Sequence, residues 1–252
     1  MSRTWILGGM LLLGALLAPA ARAQAPGCAT PPELLEAGAP LPATVRAVAA
    51  GKLRILVVGG VSVMGAGTSG PAAAWPARLQ ALLTARRPGI AFEVVVRGAR
   101  GISTAEAGAL LATEMAKAPA QLVLWATGTV SAVRGLEVDE MVEALNEGLD
   151  ALKAAGADAV LIDPQFSRFL RANANVEPYL DALRLVAATH QVPLLRRWDL
   201  MRHWVETEQV DVERAPKPEQ VAATDRLNEC LAQAMAALLR DGAAEARGKP
   251  RN

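Results

Sequence analysis

Apolar runs alternate with segments of helical periodicity along most of this chain. The runs occupy positions 53–58, 92–96, 122–126, 159–162 and 192–195, and they are almost wholly apolar rather than alternating. A strand in a parallel sheet has this continuous character when helices cover both faces of the sheet. The pattern therefore predicts five parallel strands.

The intervals between the runs predict amphipathic helices. Trp75 and Leu79 share one helical face, and Met141 and Leu145 share another. Ser103 is followed three residues later by a glutamate, the spacing of a capping box. Strand–helix alternation predicts a three-layer α/β/α domain with a doubly wound, flavodoxin-like parallel sheet of about five strands. Ligands of such domains bind at the carboxyl ends of the strands.

The two ends of the chain differ in composition from this domain. A basic start at Arg3, an apolar run over 5–18 and the small-residue site at Ala21 and Ala23 are typical of a secretory signal peptide, predicted over 1–23. No stable membrane span is expected after its cleavage. Positions 24–50 are rich in proline and alanine and are predicted to form an N-terminal strap. The domain is predicted over positions 51–240, and a disordered tail is predicted over 241–252.

The two cysteines, Cys28 and Cys230, are expected to form a disulfide, with two separate buried thiols as the alternative. Disulfides persist in oxidising compartments. The signal peptide and the cysteine pair together predict a protein exported to the periplasm or secreted.

Charge and motif content narrow the range of functions. The chain has 26 basic and 25 acidic residues and a net charge of +1, which argues against a nucleic-acid partner. Only two histidines occur, His190 and His203, without an acidic cluster beside them, so neither a metal nor another cofactor is expected. Two arginine pairs, Arg86 with Arg87 and Arg196 with Arg197, are expected to be ordinary solvated or salt-bridged charges.

Several short segments carry a family resemblance over most of the chain from Cys28 onward. They are the glycine-rich turn at 59–69, the segment 98–101, the pair Gly128 and Thr129, and the segment 197–204. With the order of elements, they resemble the SGNH (GDSL-type) esterase and lipase family. The chain looks most like secreted bacterial members with a glycine-serine-serine-serine motif and an arginine-histidine-tryptophan run, as at 202–204.

The resemblance implies a catalytic centre whose key positions are vacated here. The nucleophilic serine of the family falls on Val61, and its oxyanion-binding asparagine falls on Val130. The oxyanion glycine is present as Gly101. The late aspartate-x-x-histidine motif that supplies the base is missing, because no histidine follows Trp204. Loss of nucleophile, side-chain oxyanion donor and base together predicts loss of acyl-transfer chemistry.

The residues left to form a ligand cleft are expected to be Ser62, Arg100, Gly101, Gly128, Ser131 and Gln165. The first interpretation is an inactive binding or accessory protein of the cell envelope, whose ligand is an acylated glycan, another small ester-like molecule or an envelope protein. The alternative is a weak esterase on small acyl or acetyl esters that uses Ser62. The four-residue spacing of Asp199 and His203 permits a hydrogen bond on a helix, but packing is the expected role of that histidine.

Overall fold

The computed structural model describes residues 28–248 of the 252-residue chain. The predicted signal peptide at 1–23 and the last four residues lie outside the described part. Within 28–248, five strands form one parallel sheet in the order β2-β1-β3-β4-β5. The strands are β1 (Lys52–Gly59), β2 (Ala91–Gly98), β3 (Leu122–Ala126), β4 (Asp158–Ile162) and β5 (Leu194–Leu195).

Helices cover both faces of this sheet. In chain order they are α1 (Pro42–Ala49), α2 (Trp75–Arg86), α3 (Thr104–Lys117), α4 (Thr129–Arg134), α5 (Val138–Ala154), α6 (Arg168–Asn173), α7 (Glu177–His190), α8 (Arg197–Glu206) and α9 (Gln220–Glu245). The predicted three-layer fold with five parallel strands is confirmed.

The sheet separates two apolar cores, because successive side chains of a strand point to opposite faces. Ile55 and Val57 of β1 pack with α1, α2 and α9 on one side, whereas Leu56 and Val58 pack with α3, α5 and α7 on the other. Strand β3 lies in the middle of the sheet, and all five of its residues are buried. The predicted capping box is also present, with Ser103 and Glu106 exchanging hydrogen bonds at the start of α3.

The segment predicted as a strap contributes a helix to the domain. Helix α1 begins at Pro42, and proline suits the first turn of a helix because its missing N–H would have no helical partner there. The carboxylate of Asp158 accepts hydrogen bonds from the N–H groups of Ala43 (3.2 Å) and Thr44 (2.7 Å) and so caps α1. The described part of this segment is therefore bound to the start of β4.

The last helix continues beyond the boundary predicted for the domain. Helix α9 runs to Glu245, so a disordered tail from 241 is wrong for its first residues. Gly242 is buried against Leu41, and the Asp241 carboxylate accepts a hydrogen bond from the N–H of Ala37 at 2.8 Å. These contacts, made by residues far away in the chain, keep the end of the helix folded.

A disulfide joins Cys28 to Cys230 and ties the segment before α1 to the middle of α9. The predicted pairing is thus present in the structure. Within residues 28–248, no helix combines the length and the apolar character needed to cross a membrane.

Candidate active site

A small cleft lies at the carboxyl ends of the strands, where the fold predicts a ligand site. Its volume is about 80 Å³, well below the roughly 300–1,000 Å³ of sites for drug-sized ligands. Only a small chemical group can enter it. The cleft is lined by Gly60, Val61, Ser62, Gly101, Ile102, Thr104, Ala126, Thr127, Gly128, Thr129, Val130, Ser131, Gln165 and Arg197.

The structure brings nearly all of the predicted site residues together. Both vacated positions, Val61 and Val130, line the cleft, as do Ser62, Gly101, Gly128, Ser131 and Gln165. Arg100 is the exception, since it is exposed and is not among the lining residues. Sequence reasoning missed the threonines and Arg197.

The turn after β1 presents Ser62 to the cleft. The N–H of Val63 donates to the Gly60 carbonyl, and the N–H of Met64 donates to the Val61 carbonyl, both at 3.2 Å. Val63 is 1% exposed and anchors the turn in the core. Both Val61 and Ser62 can line the cleft because a turn does not follow the strict alternation of a strand.

The glycine of the second motif has a conformation that suits only glycine. Gly101 has φ +72°, and an added Cβ would lie 2.8 Å from Nη2 of Arg134. A side chain here would be strained and would also displace the arginine. The cleft wall at this point therefore consists of bare backbone.

Arg197 is the cation of the cleft. It opens α8, is 3% exposed, and donates from Nε to the Asp163 carbonyl at 2.9 Å and from Nη1 to Ser62 Oγ at 3.0 Å. Nη2 lies 3.5 Å from Thr129 Oγ1. Within residues 28–248 no carboxylate oxygen comes within 4.0 Å of its nitrogens. The expectation of a solvated or salt-bridged arginine is therefore wrong for Arg197, because the fold buries it.

The contact with Arg197 determines what the Ser62 hydroxyl can do. A nucleophilic serine needs a neighbour that accepts its proton, such as a neutral histidine. A guanidinium has five N–H donors and no acceptor. Arg197 therefore holds Ser62 in place without activating it. Burial lowers the pKa of Arg197 to about 10, and the charge of Asp163 partly opposes this effect, so the side chain is a cation at neutral pH.

Asp163 lies just behind the cleft without lining it. Its Oδ1 accepts a hydrogen bond from the N–H of Trp198 at 2.8 Å, whereas its Oδ2 is buried and has no hydrogen-bond partner within the described residues. Burial raises the pKa of Asp163 to about 7, against the opposing effects of the Trp198 N–H and of Arg197. Within the described residues neither carboxylate oxygen of Asp163 accepts a hydrogen bond from Ser62, so Asp163 does not replace the missing base.

Hydroxyl groups supply further polar atoms to the cleft lining. Oγ1 of Thr104 lies 2.6 Å from Oγ1 of Thr127 and 3.4 Å from Oγ of Ser131. Ser131 stands where the family has an aspartate next to its asparagine, and it is 2% exposed. The wall is thus neutral and satisfied largely by its own hydrogen bonds.

The two histidines lie outside the cleft lining. Asp199 accepts hydrogen bonds from Arg196 at 2.6 Å and from Arg202 at 3.1 Å, and these arginines occupy the carboxylate that was considered for His203. His190 Nε2 lies 2.9 Å from Oδ1 of Asn146, at the end of α7. Neither histidine lines the cleft.

An aspartate and an arginine have the spacing of the missing fourth motif. Asp211 and Arg214 stand three residues apart, with arginine where the family pattern has histidine. The Asp211 carboxylate is held by both terminal nitrogens of Arg168, at 2.8 and 2.7 Å, and Arg214 is mostly exposed. Neither residue lines the cleft, so this segment forms a surface ion-pair cluster.

Comparisons with solved structures show where this fold occurs. A protein described as lipolytic, of the G-D-S-L family from Desulfitobacterium hafniense DCB-2, has 11% identity and a TM-score of 0.59 over 74% of this chain and 99% of its own. TesA has 22% identity and a TM-score of 0.57 over 74% and 99%. A two-domain esterase active on acetylated mannans has 13% identity and a TM-score of 0.68 over 84% of this chain and 57% of its own. At these identities the likeness shows the fold alone.

A search of curated proteins gave no match. The model of the non-GDSL lipase-like family, in contrast, matches residues 27–245, which covers the whole domain and the cleft. The resemblance to SGNH-type hydrolases is confirmed by this match and by the structural neighbours. The chain therefore belongs to the non-GDSL lipase-like family and has the α/β fold of the SGNH-type hydrolases.

Proposed function

We propose that this protein binds a small acyl group in its cleft without hydrolysing it, as an accessory protein of the bacterial cell envelope. The observation that carries the proposal is the hydrogen bond from Arg197 to Ser62. The hydroxyl that lines the cleft is paired with a group that donates protons and does not accept them.

The vacated positions support the same conclusion. Val61 and Val130 lie in the cleft wall, where a nucleophile and an oxyanion donor would be needed. In a serine protease, removal of the nucleophile or the base lowers the rate about a million-fold. Ser62 without a base would therefore be left with about one millionth of the rate of a complete catalytic centre.

The size and the donors of the cleft support an acyl ligand. A volume of about 80 Å³ suits a group as small as acetyl. Arg197, Ser62 and Thr129 surround it with N–H and O–H donors for a carbonyl oxygen. A structural neighbour acts on acetylated mannans, and an acetylated glycan is the ligand that we infer here.

The proposal that the protein lies outside the cytoplasm rests on the predicted signal peptide and on the disulfide. Disulfides are rare in reducing compartments. Fractionation of the native host should find the protein outside the cytoplasm, with Gln24 as its first residue. A full-length, reduced protein in the cytoplasm would contradict this part of the proposal.

Catalytic competence is tested by labelling the purified protein with a fluorophosphonate, read by intact mass. The native protein, Ser62→Ala and Val61→Ser should all remain unlabelled, because none has a base beside the serine. Circular dichroism establishes that each is folded. An adduct that forms on the native protein and disappears in Ser62→Ala would replace the proposal with the alternative, a weak esterase that uses Ser62.

Ligand binding is tested by calorimetry with acetylated manno-oligosaccharides and with the same sugars after deacetylation. The native protein should bind the acetylated form at least tenfold more tightly. Ser62→Leu fills the cleft and should abolish this difference, whereas Ala72→Leu, at an exposed position outside the cleft, should keep it. Equal binding of the two sugars would contradict an acyl-binding role.

A further inference from the structure

A second concave site lies at the opposite end of the sheet. It is a groove of about 190 Å³ between α1, α2, α9 and the amino ends of β1 and β2. Its apolar walls include Val45, Val48, Leu83 and Phe92. Since β1 rises by about 3.3 Å per residue, the groove is roughly 25 Å from the Ser62 cleft. It is therefore independent of the proposed acyl-binding site.

Four arginines surround the mouth of this groove: Arg86, Arg87, Arg240 and Arg247. All four are exposed, and within residues 28–248 none of them has a carboxylate oxygen within 4.0 Å. The described residues that line the groove include no aspartate or glutamate. We call this site the arginine groove.

The charge of the groove stands out from that of the whole chain. The chain is close to neutral, at +1, yet four positive charges gather here without a paired carboxylate. Such a cluster beside low-dielectric walls produces a local positive potential that attracts anions. Guanidinium groups in particular bind carboxylates through paired N–H···O bonds.

The apolar walls of the groove require that its anionic occupant also has an apolar part. Leu53 is 2% exposed and Leu239 is 5% exposed, so the floor is part of the core, while Phe92 and Val48 form half-buried sides. Burial of alkyl groups against such walls is favourable in proportion to the area removed from water. The occupant thus combines an alkyl chain with a negatively charged head.

We propose that the arginine groove binds one fatty acid, with its alkyl chain between α1 and β2 and its carboxylate among the four arginines. The volume of the groove distinguishes an amphiphile with one alkyl chain from one with two. At about 190 Å³ the groove is smaller than typical drug-sized sites, so it accepts a single chain rather than the two chains of a phospholipid.

The proposal is tested by titrating the mature protein, which begins at Gln24, with cis-parinaric acid, a slender fatty acid whose fluorescence rises in an apolar site. We expect saturable binding of one probe per chain. Dodecanoate should displace the probe, and dodecanol at the same concentration should not. Absence of saturable binding to folded protein, or equal displacement by dodecanol, would overturn the proposal.

Variants assign the binding to this groove. Arg86→Gln/Arg240→Gln should weaken the probe at least tenfold, and Val45→Trp should block it by filling the slot. The matched control Arg100→Gln/Arg171→Gln removes two exposed arginines elsewhere and should leave the affinity unchanged. Ser62→Leu should also bind the probe normally, and loss in this variant would place the fatty acid in the cleft instead.

One further result identifies another occupant and would overturn the proposal. If anionic phosphatidylglycerol vesicles bind the protein while monomeric dodecanoate does not, the arginines contact a membrane surface and not a single fatty acid.

Discussion

Asp163 and Arg197 place opposite charges in the interior without a direct ion pair between their side chains. Arg197 contacts the carbonyl of Asp163, and the carboxylate of Asp163 contacts the backbone of Trp198. One carboxylate oxygen is left without a partner within the described residues. Leaving a buried ionised group short of hydrogen bonds is costly, and the site avoids this cost when Asp163 takes up a proton.

The raised pKa of Asp163 predicts a pH-dependent stability. Its pKa is about 7 in the folded protein and about 3.8 in the unfolded chain, so the folded state binds more protons between these values. The contribution of Asp163 is therefore greatest below pH 4 and is lost as the pH rises through 7, by at most about 4 kcal/mol. Asp163→Asn should gain stability relative to the native protein as the pH rises from 4 to 7, measured by urea unfolding.

The matched control is Glu147→Gln, which removes an exposed carboxylate on α5. It should follow the native protein across this pH range. A constant difference between Asp163→Asn and the native protein from pH 4 to pH 7 would show that Asp163 is ionised throughout, and would refute the assigned cause.

At the scale of elements, Trp125 of β3 sets the distance at which two helices pack on the sheet. Its side chain is 0% exposed and lies against a glycine of α3, Gly108, and a glycine of α5, Gly148. An added Cβ would lie 3.5 Å from the ring at Gly108 but only 2.6 Å from it at Gly148. The first distance is ordinary contact, and the second is a clash in a packed core.

The two glycines predict opposite effects of one substitution. Gly108→Ala should stabilise the protein by up to about 1 kcal/mol, because alanine favours a helix more than glycine does. Gly148→Ala should destabilise it by about 1–3 kcal/mol, because overpacking against Trp125 exceeds that gain. Thermal unfolding of both variants checks this pair, and stabilisation by Gly148→Ala would show that α5 can move away from the sheet.

Elements buried on both faces were the most predictable from the sequence. Strand β3 was predicted with its observed bounds, since all of its side chains are apolar and buried. Helix α1 was missed because proline and alanine dominate its segment, although Pro42 at its first turn was an available signal. The end of α9 was missed because its stability comes from contacts with Leu41 and Ala37, which are remote in sequence.

The candidate site was predictable where it rests on strand ends and glycines. Val61, Gly101 and Val130 were placed by the motifs and do line the cleft. Arg197 was not predicted as a cleft residue, because arginines are seldom buried and its neighbour Arg196 is also charged. Its role follows from the approach of α8 to the turns after β1 and β4, which only the tertiary structure shows.

At the scale of the molecule, the Cys28–Cys230 disulfide links the first described residue to the last helix. The two cysteines are 202 positions apart. In the chain-entropy model a loop of this length reduces the entropy of the unfolded chain enough to stabilise the fold by about 5 kcal/mol, as an upper value.

Reduction of the disulfide should therefore lower the urea midpoint of unfolding. It should also make the free energy of unfolding depend more steeply on urea concentration, because the reduced chain exposes more surface when it unfolds. Equilibrium unfolding with and without dithiothreitol measures both effects. Dithiothreitol should have no effect on Cys28→Ser/Cys230→Ser, which serves as the control. An unchanged midpoint in the native protein would show that the link constrains little of the unfolded chain.

The same disulfide also makes the chemistry of one thiol depend on the completion of the chain. Synthesis starts at the amino end, so Cys28 has no partner until 202 further residues have been added. A chain that stalls or is cut before Cys230 carries one reactive thiol near its start, whereas the finished fold has no free cysteine. A thiol-specific label on this protein would thus count unfinished molecules and leave complete ones unmarked.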